Sequence, residues 1–186
     1  MSSGERFDAA LAAAQAGDES GMTALFRSLH PHLLRYLRAK DPAAAEDLAS
    51  EVWIGVWSGI GSFRGDERAF RAWVFTIAAR RLTDHRRRAG RLRAEPGPGP
   101  LLTDAPAPDD PAALVTDGLT AQEAVRRMVA GLPPDQAEVL LLRVVADLDV
   151  AEVARIMGRT EVSVRVLQHR ALKRLSDRYS RKVVTE

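Results

Sequence analysis

The chain has 186 residues, a formal net charge of +2, nearly half of its residues apolar, and no cysteine. That length holds one ordinary domain or two small ones with a core. The lack of cysteine excludes disulfides, a thiolate nucleophile and cysteine-based zinc sites, and fits a reducing compartment. Helix formers outweigh aromatic and β-branched residues, which favours an all-α fold. Glu5 and Asp8 stand where a signal peptide would be basic, and no apolar stretch is long enough to span a bilayer. A cytoplasmic protein without membrane insertion is expected.

In chain order, Phe7, Ala10, Leu11 and Ala14 predict a first amphipathic helix closed by Gly17. Met22, Leu25, Phe26 and Leu29 predict the next, and Pro31 permits a kink or restart before Leu33, Leu34 and Leu37. Asp41-Pro42 reads as a cap with proline at the first helical position. The helix it opens carries Leu48, Val52, Val56 and Ile60 inward and ends at Gly59 and Gly61. After the loop Ser62–Asp66 a long helix is predicted to about Arg93, with Phe70, Trp73, Val74 and Ile77 facing inward.

Residues 95–118 are dense in proline, glycine and aspartate and are read as an extended linker between a domain over 1–94 and another over 119–186. Four helical segments follow. The first holds Val125, Met128, Val129 and Leu132. Pro133-Pro134 breaks it, and Asp135 opens the second, through Leu140, Leu141 and Val144. Asp149 to Glu152 has the pattern of a capping box and starts a short helix ending at Gly158. Thr160 caps a last helix running to about Tyr179. Small Ala154, Gly158 at the turn, and Val164 with Leu167 give Val150–Leu167 the layout of a helix-turn-helix.

Charge is distributed unevenly. Arginines crowd 80–93, basic residues crowd 165–182, and acidic residues collect at 46–51 and 104–117. Two basic stretches separated by an acidic one fit two contact points on a polyanion. On the last helix, Thr160 and Ser163 sit where hydroxyls and backbone N–H groups meet phosphate. Arg165, His169 and Arg170 follow on its exposed side, and arginine reads guanine O6 and N7 bidentately. Glu46, Asp47, Ser50 and Glu51 form an acidic face suited to a basic partner helix, and Phe63 with Arg64 offers a stacking platform for an unpaired base. A stand-alone helix-turn-helix regulator remains an alternative at this level, as does a helical adaptor. An enzyme is disfavoured, since no metal-ligand array, phosphate-binding glycine loop or nucleophile elbow is present in the sequence.

Several segments resemble extracytoplasmic-function sigma factors of the sigma-70 family. Leu132-Pro133-Pro134-Asp135-Gln136, Val139 to Arg143, Glu152-Val153-Ala154 and Val164 to Ala171 are similar to the family's region 4. Ala45 to Trp53 resembles the clamp-binding helix of region 2; Ser62 to Asp66, Phe70 to Trp73 and Asp84 to Arg88 resemble its −10 segment. The resemblance implies no cofactor, no metal and no active site. As partners it implies core RNA polymerase (β′ clamp and β flap), promoter DNA and an anti-sigma factor. Carried onto this chain, it places polymerase binding on Glu46, Asp47, Leu48, Ser50 and Glu51. It places −10 contacts on Phe63, Arg64, Asp66, Arg71, Arg80, Arg81, Arg87 and Arg88. It places −35 contacts on Thr160, Ser163, Arg165, Val166, His169, Arg170, Lys173 and Arg174. The chain departs from the family pattern at Ser50, Arg80 and Val166-Leu167-Gln168, so its promoter sequence is not legible. About 25 linker residues reach ~80 Å when extended at roughly 3.3 Å each, enough to span elements ~70 Å apart, about two DNA turns.

Overall fold

The computed structural model describes residues 3–94 and 121–183, and within these the fold is all-α. The predicted linker lies outside the described residues. Helices α1 (Ser3–Gln15), α2 (Glu19–Lys40), α3 (Ala45–Gly59) and α4 (Glu67–Ala94) form the N-terminal unit. Helices α5 (Ala121–Val129), α6 (Pro134–Leu140), α7 (Val150–Met157) and α8 (Glu161–Val183) form the C-terminal one.

α2 is the axis of the first unit. Asp18 caps it by accepting from the Ser20 N–H at 2.8 Å, and Leu25, Leu29, Leu33, Tyr36 and Leu37 line its buried side. Pro31 permits a kink or restart here, but α2 runs through it unbroken. The one hydrogen bond that proline forfeits is outweighed by packing on both sides, since Leu29 and Leu33 are buried at 3% and 0% exposure. Gly21 lets α1 come close. A Cβ there would lie 2.5 Å from the Ala14 nitrogen and 2.6 Å from the Ala10 oxygen, both backbone atoms.

The start of α3 also differs from expectation. Asp41 is the C-cap of α2 and accepts from the Ala44 N–H at 3.2 Å, so it organises a turn, and the helix begins at Ala45. Leu48, Val52, Val56 and Ile60 are buried as predicted. α3 passes into a 3₁₀ turn at Ile60–Ser62, which Gln15 fastens by donating to the Ile60 and Phe63 carbonyls at 3.0 and 2.9 Å. Asp66 then caps α4, accepting from the Ala69 N–H at 2.8 Å.

In the second unit α6 continues as a π-turn over Leu141–Val145. The extra residue per turn rotates the face: Leu141, Leu142 and Val145 are buried, and Val144, expected inside, is 60% exposed. The capping box is present in both directions, with Asp149 accepting from Glu152 N–H at 2.8 Å and Glu152 accepting from Asp149 N–H at 2.7 Å. Gly158 holds the left-handed conformation (φ 60°) that turns α7 into α8. Arg143 ties this unit together by donating to the Leu148 carbonyl and, at 3.3 Å, to Gln168 of α8. Arg178, part of the basic cluster read from the sequence, instead caps α5, donating to the Ala130 and Met128 carbonyls at 2.5 and 2.9 Å.

The Gly21 contact gives the first prediction. Gly21→Ala drives a methyl into backbone that cannot rotate away, so destabilisation toward or beyond the upper end of the ~1–3 kcal/mol overpacking range is expected. Gly158→Ala, which meets nothing within 4 Å, loses only about 1–2 kcal/mol of left-handed strain. Urea denaturation of both variants checks the order; equal losses would show that α1 yields to the added methyl.

Candidate nucleic-acid and polymerase interface

Two exposed faces emerge from these helices. On α3 the outward stripe is Asp47, Ser50, Ile54 and Ser58. Ser50 Oγ donates to the Glu46 carbonyl at 3.0 Å, while the Glu46 carboxylate pairs with Arg38. Leu48, placed on the docking face by resemblance, is 2% exposed and belongs to the core, since it shares the inward side with Val52. Ile54 was missed. It is 65% exposed, seven residues from Asp47 and four from Ser50, so helical spacing alone puts it on the same stripe. An apolar side chain amid an acidic rim is what a protein partner needs at the centre of a contact.

Beneath that stripe lies an aromatic stack. Phe26 and His30 stack at 4.3 Å, Trp53 and Trp57 at 4.9 Å, and the Trp53 indole N–H donates to His30 Nδ1 at 3.2 Å. Partial burial lowers the His30 pKa, Glu46 opposes that shift and Arg38 adds to it, which keeps the ring neutral and able to accept.

The expected −10 residues do not share one surface. Arg80 and Arg87, seven apart, lie on one side of α4. Arg81 lies about 100° round the helix and pairs with Glu51 of α3 at 3.7 Å, joining one predicted −10 residue to one predicted polymerase residue. Arg88 shares the Arg81 side by the same spacing and is exposed. Arg71 points elsewhere, with Nη1 3.5 Å from the Ala146 carbonyl. Phe63 is half-buried, stacked on Trp73 at 5.1 Å and edge-on to Phe70 at 5.5 Å. Arg64 is exposed and folds back onto the Gly61 and Phe63 carbonyls at 3.0 and 2.6 Å.

The expected −35 residues are more uniform. Thr160 caps α8 by accepting from the Ser163 N–H at 3.2 Å, and Ser163 itself is half-buried. Arg165, Val166, His169, Arg170, Lys173 and Arg174 are all exposed. Arg165 is held by Glu161 at 2.8 Å, one turn back, so a base contact requires it to change partner. Val162, absent from the expected set, is 68% exposed at the start of the same stripe and is suited to a thymine methyl.

The two units have counterparts in known proteins. Residues 25–92 match the family model for Sigma-70 region 2, and residues 122–175 match that for Sigma-70, region 4. The ECF RNA polymerase sigma factor SigD of Mycobacterium tuberculosis is 36% identical over 181 residues, covering 94% of this chain and 84% of that protein. The chain belongs to the extracytoplasmic-function sigma factors of the sigma-70 family. Two solved structures share the fold. CnrH in complex with the cytosolic domain of CnrY has a TM-score of 0.63 at 20% identity, covering 94% of this chain and 97% of that one. RpoE in complex with the anti-sigma factor NepR from Bartonella quintana has 0.61 at 22% identity, covering 81% and 93%. Among the described residues no helix of this sigma factor is long and apolar enough to cross a membrane, and no group of ligating side chains could hold a metal ion.

The division of α3 into a core side and a docking side is testable by stability alone. Leu48→Ala should cost about 2–5 kcal/mol, whereas Asp47→Lys, on the exposed stripe, should change stability by less than about 0.5 kcal/mol. Chemical denaturation of the two variants decides it; a large loss for Asp47→Lys would place that side chain in a structural role.

Proposed function

We propose that this sigma factor docks on core RNA polymerase through the α3 stripe, reads the −35 element with α8 and opens the −10 element with α4 and the preceding loop. The observation that carries this reading is that the exposed acidic–apolar stripe and the exposed basic helix of a helix-turn-helix occur on one chain in the order of regions 2 and 4. Residues 1–94 serve the polymerase and the −10 element, 119–186 the −35 element, and 95–118 connect them. The protein works in the cytoplasm, holds no cofactor and performs no covalent chemistry of its own; the polymerase does. RpoE, with which it shares its fold, is held by an anti-sigma factor, and we extend that class of partner to this chain.

The physical roles differ from place to place. On α3, Ile54 supplies apolar area while Asp47, Ser50 and the Glu46 rim orient a basic partner helix. On α8, the N-terminal hydroxyl and amides favour a phosphate, and the stripe from Val162 to Lys173 faces base edges. Arg80 and Arg87 neutralise phosphates on one side of the separating strands, a contribution that weakens with salt. The Phe63–Trp73 stack and Arg64 offer a surface for an extruded base.

Three variants separate these roles. Asp47→Lys with Ile54→Asp should lose co-purification with core polymerase while retaining helicity. Arg165→Ala should keep polymerase binding but lose ~1–3 kcal/mol of discrimination at one base pair, about 5- to 150-fold. Arg64→Ala with Phe63→Leu should form closed complexes yet fail to open a linear promoter, with rescue on a pre-melted −10 template seen by permanganate footprinting. Normal co-purification of the first variant, or an equal defect of the third on both templates, would reject the corresponding assignment.

A further inference from the structure

Arg86 of α4 and the arginines of α5 take no part in the roles assigned above, and they line a groove of their own. α5 turns into α6 at Gly131, which holds the left-handed region (φ 77°), and Pro134 opens α6 as its first residue. Where this corner meets the end of α2, Ala39, Ala130 and Ala137 supply only methyl groups, too short to fill the space between helices. What remains is an open groove of about 560 Å³, with Val129 and Leu141 completing an apolar wall. Small-molecule sites commonly run to roughly 300–1,000 Å³.

The rest of the groove is basic. Lys40 is matched by Glu138, with which it pairs. Three arginines (86, 126 and 127) then stand against one carboxylate, that of Glu123. Arg86 is held in place: its Nη2 donates to the Lys40 carbonyl at the end of α2, at 2.9 Å. Arg127 is only partly satisfied, since its Nη1 is shut off from solvent and has no hydrogen-bond partner. An enclosed guanidinium N–H without an acceptor is a cost that folded proteins rarely carry unless a bound group relieves it.

We propose, independently of promoter reading, that this groove binds a small phosphate monoester with an apolar body. The phosphate sits among Arg86, Arg126 and Arg127, and the body lies along Val129, Ala137 and Leu141. A phosphate monoester carries close to two negative charges at neutral pH, which matches the excess of arginine over Glu123. Its oxygens accept from guanidinium in the forked geometry that arginine favours, and a small turn of the Arg127 side chain gives Nη1 its missing acceptor. A bare inorganic anion leaves the apolar wall unused. A nucleic-acid backbone is a poorer fit, because its charge is strung along a strand and it brings no apolar body to the wall.

Isothermal titration calorimetry of the full-length protein with octyl phosphate, inorganic phosphate and octanol tests this. Octyl phosphate should bind at one site at least about tenfold more tightly than inorganic phosphate, because only it buries methylenes, and octanol should not bind. Arg127→Met should weaken octyl phosphate at least about tenfold by removing charge-assisted hydrogen bonds. Ala130→Asp sets a carboxylate at an exposed position of the rim and should weaken it as well. Circular dichroism checks that both variants are folded, and Arg126→Gln, at another exposed position, replaces Arg127→Met if that one is not. Equal affinity for octyl phosphate and inorganic phosphate, or unchanged affinity in the folded variants, overturns the proposal. A second arm identifies the source of the ligand. Cosedimentation with phosphatidylcholine vesicles containing phosphatidate, lost in the same variants, assigns a lipid phosphate. Binding of octyl phosphate without cosedimentation assigns a free phosphate ester.

Discussion

Everything in this fold leans on the buried side of α2. Leu25, Leu29 and Leu33 are buried on the side of α2 that packs on α1, α3 and α4, and the last turns of the same helix present Tyr36 and Lys40 to the C-terminal unit. A helix of 22 residues is about 33 Å long, which is why one element can serve both. It also explains why Pro31 does not break it. A restart there would rotate the Tyr36 end relative to the Leu25 end and lose one of the two interfaces, a larger loss than one hydrogen bond.

The partition of α3 and α4 follows from this support. Because α2 fixes the inward sides, what remains outward is set by helical spacing. α3 is left with Asp47, Ser50, Ile54 and Ser58; α4 has Arg80 with Arg87 on one side and Arg81 with Arg88 on another. The Arg81–Glu51 pair, 40% and 43% exposed, is a weak surface bridge. Its interest lies in position: it joins a residue expected to bind polymerase to one expected to contact the −10 element. α8 has no such division, since one long exposed stripe runs from Val162 to Lys173.

Much of this was legible in the sequence where a local rule decides. The capping box at Asp149 and Glu152, the left-handed Gly158, the cap at Thr160 and the inward residues of α3 needed only spacing and side-chain chemistry. What was not legible depended on partners distant in the chain. Asp41 looked like a helix start because nothing local says that α2 ends on it. Val144 looked inward because an α-period was assumed where the backbone widens into a π-turn. Leu48 was assigned outward by resemblance although its own spacing with Val52 pointed inward. Ile54 and Val162 were passed over because apolar residues read as core. The Lys40–Glu138 pair joins residues 98 apart along the chain, and no motif marks such a pair.

A chain with these two faces gives core polymerase a promoter that neither recognises as well alone. The most direct measurement is run-off transcription with purified core polymerase and this protein on genomic fragments, with mapped 5′ ends, beside binding of the isolated protein to the same fragments. Discrete start sites are expected only when both proteins are present, with weak duplex binding by the isolated protein. Tight, sequence-specific binding by the isolated protein with no stimulation of transcription would contradict it.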